Sequence, residues 1–264
     1  MLHYLSIALI ALAGCCFCAA AALRWRLMGR ADAPQPKHLW PMWMGMTLLS
    51  ASLVLSLCDR NEVNYAYGVL GVWAGVASLL FVTRYLAVPS RGVLALPVGG
   101  MSLLVAMAAL AGPAPHPVTT EGGHWITSVH ALFMSLQLAP MVLAGAAGGL
   151  YLVAARLLKS PTVRALRLPS LPLLERITER ALVVSTALLL VGLATGGASM
   201  QLARAISLTH PTVLLSLATM AVLVVTLALK ATAHIKRRGV AVAAVAAMVL
   251  DALGAVSLLV STHG

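Results

Sequence analysis

Residues 125–155 read WITSVHALFMSLQLAPMVLAGAAGGLYLVAA, thirty-one positions without a Lys, Arg, Asp or Glu. A helix needs about 20 consecutive apolar residues to cross the hydrocarbon core of a bilayer, so this run is long enough. Its chemistry is that of a membrane segment: apolar throughout, with small residues in place of charges.

The rest of the chain repeats the pattern. Of 264 residues, 61% are hydrophobic and 9% charged, which leaves too little polar surface for a water-soluble domain. The mean hydropathy of +0.95 agrees. In lipid every backbone polar group needs an internal partner, and runs this long and evenly apolar satisfy it as helices, not as barrel strands. Eight spans are expected, at about 3–23, 39–57, 65–87, 92–111, 125–155, 180–200, 211–233 and 239–262. The fold class is an all-α, polytopic membrane helix bundle. A single transmembrane domain covers 1–264, with four spans in about 1–111 and four more in about 120–264. The fourth span is interrupted by Pro97 and Gly99-Gly100, and Pro140 predicts a kink in the fifth. Residues 160–179 mix Pro, Arg and Leu and read as an interfacial loop or short surface helix.

Charge gives the orientation. Arg24, Arg26, Arg30, Lys37, Arg84, Arg91, Arg156, Lys159, Arg164, Arg167, Arg176, Arg180, Lys230, Lys236, Arg237 and Arg238 fall in alternate connections, and only Arg60 and Arg204 fall in the others. Sixteen of the 18 basic residues therefore share one side, which the positive-inside rule makes cytoplasmic, and both termini face outward. The net charge of +11 is accounted for by this bias and by attraction to anionic lipid. It is not a nucleic-acid surface, since no basic run is interleaved with aromatic residues. Hydrolytic chemistry has little to draw on: seven Asp and Glu, none paired in a plausible site.

Leu12-Ala13-Gly14-Cys15 has the form of a lipoprotein cleavage box, but no basic residue precedes the apolar core and the run continues to Leu23. An uncleaved first helix is the expectation. Cys15, Cys16 and Cys18 lack a fourth ligand of the usual kind and read as small buried residues, and Cys58 as a lone thiol near the outer face. No C-x-x-C-H occurs, so covalent c-type haem is not expected on this chain.

Two of the eight histidines occupy equivalent places. His124 follows Gly122-Gly123 and immediately precedes the fifth span; His210 immediately precedes the seventh, with Pro211 suited to the first helical position. Each marks a helix N-terminus on the outer face. There the helix dipole favours neutral imidazole, the form that binds metal, and the free N–H groups attract the carboxylates of a haem. If the two helices are neighbours, His124 and His210 can ligate one iron from opposite sides; the alternative is that both are wetted helix ends. His130 lies six positions after His124, about 120° around the helix, so it is a core histidine or a supporting partner and not a member of the same ligand face. Asp251 is near the middle of the eighth span, where an ionisable group is a functional candidate or else a neutral hydrogen-bonding tie. Gly145-x-x-x-Gly149 and Gly192-x-x-x-Gly196 are close-packing faces, read as joining the fifth helix to the sixth.

From His124 onward the chain resembles the HemX/CcsA-like cytochrome c assembly superfamily, especially its compact eight-span branch. The stretches that carry the likeness are HWITSVHALF from 124, RLLK at 156–159, LPSLPLLERI at 168–177, LTHPTVLLSL at 208–217 and KRRG at 236–239. The first 120 residues resemble it in span pattern alone. The resemblance implies a bacterial inner-membrane protein that handles b-type, non-covalent haem between outward histidines, here His124 and His210. Its implied partners are the lipid bilayer and either other cytochrome c assembly proteins or a haem-biosynthesis enzyme. The sequence departs from the haem-lyase members in having no tryptophan-rich outer loop: its tryptophans are Trp25, Trp40, Trp43, Trp73 and Trp125. That implies accessory haem handling and not haem attachment. Two other classes fit the residues: a secondary transporter with a midplane site at Asp251, and a membrane regulator without a cofactor.

The topology has a direct test. Reporter fusions after Gly264 and within residues 113–123 are both expected to report the outside; a cytoplasmic signal from either shows that a span has been miscounted.

Overall fold

The computed structural model describes residues 2–27, 40–58, 69–77, 80, 88–110, 124–158, 170–203 and 210–261. Of these, it describes 25, 27, 88–95, 108–109, 124–125, 199–203 and 255–261 by their backbone alone. The described residues form eight helices and no strand. They are α1 (Leu2–Leu27), α2 (Trp40–Cys58), α3 (69–77), α4 (Val88–Leu110), α5 (His124–Leu157), α6 (Leu171–Ala203), α7 (Pro211–Ala231) and α8 (Arg237–Ser261). Five stretches are long and apolar enough to cross a membrane: Leu2–Arg24, Trp40–Cys58, Ile126–Leu157, Leu171–Ala198 and Pro211–Ala231. The third expected span, 65–87, lies largely outside the described residues.

Large apolar side chains cover the outside as well as the inside. Leu12, Val54, Leu190, Leu214, Val225 and Leu253 are all exposed, a surface that hydrocarbon chains suit and water does not. The interior mixes large apolar side chains such as Phe17, Met42, Leu174 and Leu189 with small and polar ones: Ser6, Ser52, Ser56, Ser102, Gln137, Thr178, Ser185, Thr219 and Thr226 are all buried there. Such residues let helix backbones approach closely and bond across the gap where lipid supplies no hydrophobic drive.

Each helix keeps these residues on one stripe. In α2 the buried positions are Met42, Gly45, Leu49, Ser52 and Ser56, a three–four alternation that holds one face toward a partner. That partner is α1, running antiparallel. The Ser6 and Ser52 hydroxyls lie 2.9 Å apart and each bonds the other residue's carbonyl, and Phe17 fills the notch at Gly45. On its other side α1 packs antiparallel to α4, where Gly14 meets Leu103 and Cys18 meets Gly99. Trp73 of α3 donates its indole N–H to Ser50 of α2 at 3.1 Å.

The second half is a four-helix assembly. α5 packs extensively on α6 and on α8, α7 packs on α8, and α6 makes smaller contacts with both α7 and α8. The halves meet where α3 and α4 reach α5: Gly71 sits against the Ser135 carbonyl and Gly75 against Ala139, and α4 touches α5 and α8. These registers make α3 parallel to α5, and α6 and α8 antiparallel to it, an up-and-down order.

Several expectations are revised. The sixth helix begins at Leu171 and continues to Ala203, so residues 171–179 are its first turns and not a separate surface element. The buried stripe explains why: Leu174, Thr178, Leu182, Ser185, Leu189, Gly192 and Gly196 form one unbroken face, while Arg176 and Arg180 point outward. Residues 160–169 lie outside the described residues. Pro97, expected to interrupt the fourth span, is carried inside one continuous helix, and Pro140 likewise lies within α5. Gly145, Gly148 and Gly149 face α8 rather than α6; a Cβ on Gly148 would stand 2.9 Å from the Ala241 carbonyl oxygen. Cys15 is exposed, not buried, while Cys16 and Cys18 are half-buried; all three are free thiols.

A tight turn, 232–236, joins α7 to α8. The amide of His234 donates to the Leu229 carbonyl and that of Ala233 to Lys230, with Ala233 at φ 57°. This is a Schellman closure with alanine where glycine is favoured. A left-handed alanine costs roughly 1–2 kcal/mol, partly offset by the greater freedom of glycine in the unfolded chain. Ala233→Gly is therefore expected to stabilise the α7–α8 hairpin, by up to about 1 kcal/mol. A lowered melting temperature in detergent would contradict that geometry.

Candidate functional site

Both candidate iron ligands begin helices at the same end of the second half. α5 starts at His124, whose side chain lies outside the described residues. His210 caps α7 in an extended conformation (φ −61°, ψ 133°), and its carbonyl accepts the first helical N–H groups, from Val213 at 3.0 Å and Leu214 at 3.1 Å. Pro211 follows at the first helical position, as expected. The His210 imidazole is half-buried and makes no capping bond. The levels of the two helices follow from their neighbours. His130 of α5 meets Gly192 and Gly196 in the last third of α6, and Leu215 of α7 meets Gly254 late in α8. The starts of α5 and α7 therefore share the end at which α6 and α8 finish.

Among the described residues α5 and α7 are not the packed neighbours that the shared-iron expectation supposed: α6 and α8 each contact both, which sets α5 and α7 at opposite corners.

The opposite end is ionic. Lys230, in the last turn of α7, bonds Glu175 at 3.3 Å and Glu179, both on α6; Arg237, opening α8, reaches Glu175 at 3.2 Å. Glu175 and Glu179 are four residues apart and so share a face. The exposed guanidinium–carboxylate contacts add little stability in water-like surroundings. Their effect is to gather the ends of three helices at the basic side of the protein.

His130 is not an idle core residue. Its Nδ1 lies 2.7 Å from the Gly192 carbonyl oxygen, and the ring lies over Gly196, where a Cβ would come within 2.7 Å of Cε1. The glycine pair thus forms a notch for an imidazole and, one turn further along, for Met134. A carbonyl can only accept, so Nδ1 carries the proton. In the neutral ring Nε2 then keeps its lone pair, the tautomer in which a histidine ligates metal.

Asp251 is tied to a residue that sequence reasoning missed. Gln137 of α5 donates from Nε2 to Asp251 Oδ1 at 2.8 Å and accepts from the Ser185 hydroxyl of α6 at 3.0 Å. Gln137 is 1% exposed and Ser185 0%, so this is a buried chain across three helices. A signal was present: Gln137 is the one amide side chain in the uncharged run 125–155.

The arrangement defines the class first: an all-helical protein with the apolar surface of a multi-pass membrane protein, carrying half-buried histidines toward one end and ion pairs at the other. Beyond the class, no family model, curated protein or solved structure matches the chain.

The His130 tautomer can be read by nitrogen NMR of labelled imidazole. Nδ1 is expected as the protonated nitrogen and Nε2 as the bare one, and Gly196→Ala, which fills the notch, is expected to erase that signature. A protonated Nε2 beside a bare Nδ1 in the parent protein would refute the bond to Gly192.

Proposed function

We propose that this chain is a haem-handling protein of the cytochrome c assembly type, holding b-type haem non-covalently between His124 and His210. The observation that carries the reading is that two helices begin with a histidine at one shared end, at opposite corners of a four-helix assembly. Apolar helix walls suit the faces of a macrocycle. The N–H groups at both helix starts suit its carboxylates. The resemblance of 124–264 to the HemX/CcsA-like superfamily supports the same reading.

In this proposal the protein spans the bacterial inner membrane eight times with both termini outward. The ionic end, with Lys230, Arg237 and their basic neighbours, faces the cytoplasm, and the histidine end faces out. The role is accessory: the chain binds or passes haem alongside other assembly proteins or a haem-biosynthesis enzyme and makes no covalent bond to it.

An absorption spectrum of the protein purified in detergent and supplied with haem tests this. A low-spin bis-histidine spectrum is expected. Either His124→Ala or His210→Ala should convert it to a high-spin or weakened form, and the double variant should lose most of the haem. His234→Ala, at the ionic end about one bilayer thickness of roughly 30 Å away, serves as control. Full haem with an unaltered spectrum in the double variant would exclude both ligands.

A further inference from the structure

We propose that Asp251 is an intramembrane proton-binding site, with Gln137 and Ser185 as the built-in support for its unloaded, ionised form. The site is independent of the haem reading. Asp251 stands fourteen residues into α8, about 21 Å from the basic end at 1.5 Å per residue, and so near mid-membrane.

Among the described residues no counter-charge is available at that depth. The elements packed on α8 are α5, α6, α7 and α4. α5 has no ionisable residue between His130 and Tyr151, α6 none after Arg180, α7 none before Lys230, and α4 none after Arg91. On α8 itself the charges are Arg237 and Arg238, at its start. A carboxylate without a cation in hydrocarbon is costly, so the neutral acid is the resting form. Oδ1 is taken by the Gln137 N–H, and Oδ2, which has no protein partner among the described residues, carries the proton.

A purely structural tie would need nothing more, but two features point to a carboxyl that also releases its proton. The bond from Gln137 is donated to the oxygen, and a donor favours the charged form. Ser185 fixes the direction of that bond by occupying the amide oxygen, which sets the N–H group toward Asp251. The same orientation disfavours a metal cation, which would require the amide oxygen instead.

The test is infrared difference spectroscopy of the detergent-purified protein across pH, paired with dicyclohexylcarbodiimide, an apolar reagent that adds to protonated carboxyls. A carboxylic-acid C=O band and an adduct mapped to Asp251 are expected at neutral pH, both fading as pH rises. Asp251→Asn keeps the size of the side chain and an acceptor for Gln137, so it should fold, and should lose band and adduct together. Gln137→Leu removes the donor that favours the carboxylate, so the fade should move to higher pH. Absence of any acid band that Asp251→Asn removes, or an unmoved fade in Gln137→Leu, overturns the proposal. Neither measurement involves haem, so the spectrum of the His124 and His210 variants stands or falls separately.

Discussion

In a chain whose lipid-facing side is as apolar as its core, burial of hydrocarbon does not decide which helix faces meet. Close approach and hydrogen bonding decide it. Ser6 against Ser52 fixes α1 on α2; Gly148 against Ala241 and Gln137 to Asp251 fix α8 on α5; His130 in the Gly192–Gly196 notch and Ser185 to Gln137 fix α6 there. Replacing these contacts by leucine would leave the surface equally greasy and the arrangement unspecified. Gln137 is the most connected of them. It is the point at which α5, α6 and α8 are held at one level, and the candidate histidine end and the acid midway along α8 both take their positions from that registration.

The helices were legible because their signal is long and coarse. Six of the eight expected segments coincide with helices to within a few residues, and Pro211 as the opening of α7 could be placed from Pro chemistry alone. The start of α6 was not, for a physical reason. Glu175, Arg176, Glu179 and Arg180 lower the local hydropathy, while the stripe through Leu174 and Thr178 that makes the helix continuous is visible only once the face that packs on α5 is known. Helix pairing was less legible still. Gly145 and Gly149 announce a close contact but not its partner, since spacing along one helix carries no information about which neighbour fills the groove.

The site divides in the same way. That His124 and His210 each precede a span is a local fact, and sequence carries it. Whether the helices they open are neighbours depends on every other pairing in the bundle, and α6 and α8 turn out to stand between them. For His130 the sequence offered two roles; the bond to Gly192 gives it a fixed tautomer, a property of an interface and not of a motif. Asp251 was conspicuous as a charge in an apolar run, whereas its partner Gln137 was passed over because an amide is a weaker anomaly than a carboxyl.

The turn at 232–236 bears on how the protein is made. On insertion scales an aspartate at the centre of a helix costs about 2.5–3.5 kcal/mol, which makes α8 a reluctant segment to enter a membrane alone. α7 is the most apolar of the five long stretches, and the Schellman closure at Ala233 leaves almost no chain between the two helices. The two helices are thereby tied into one hairpin, in which a strongly apolar helix carries beside it one that holds a carboxyl, and Lys230 and Arg237 flank its tip.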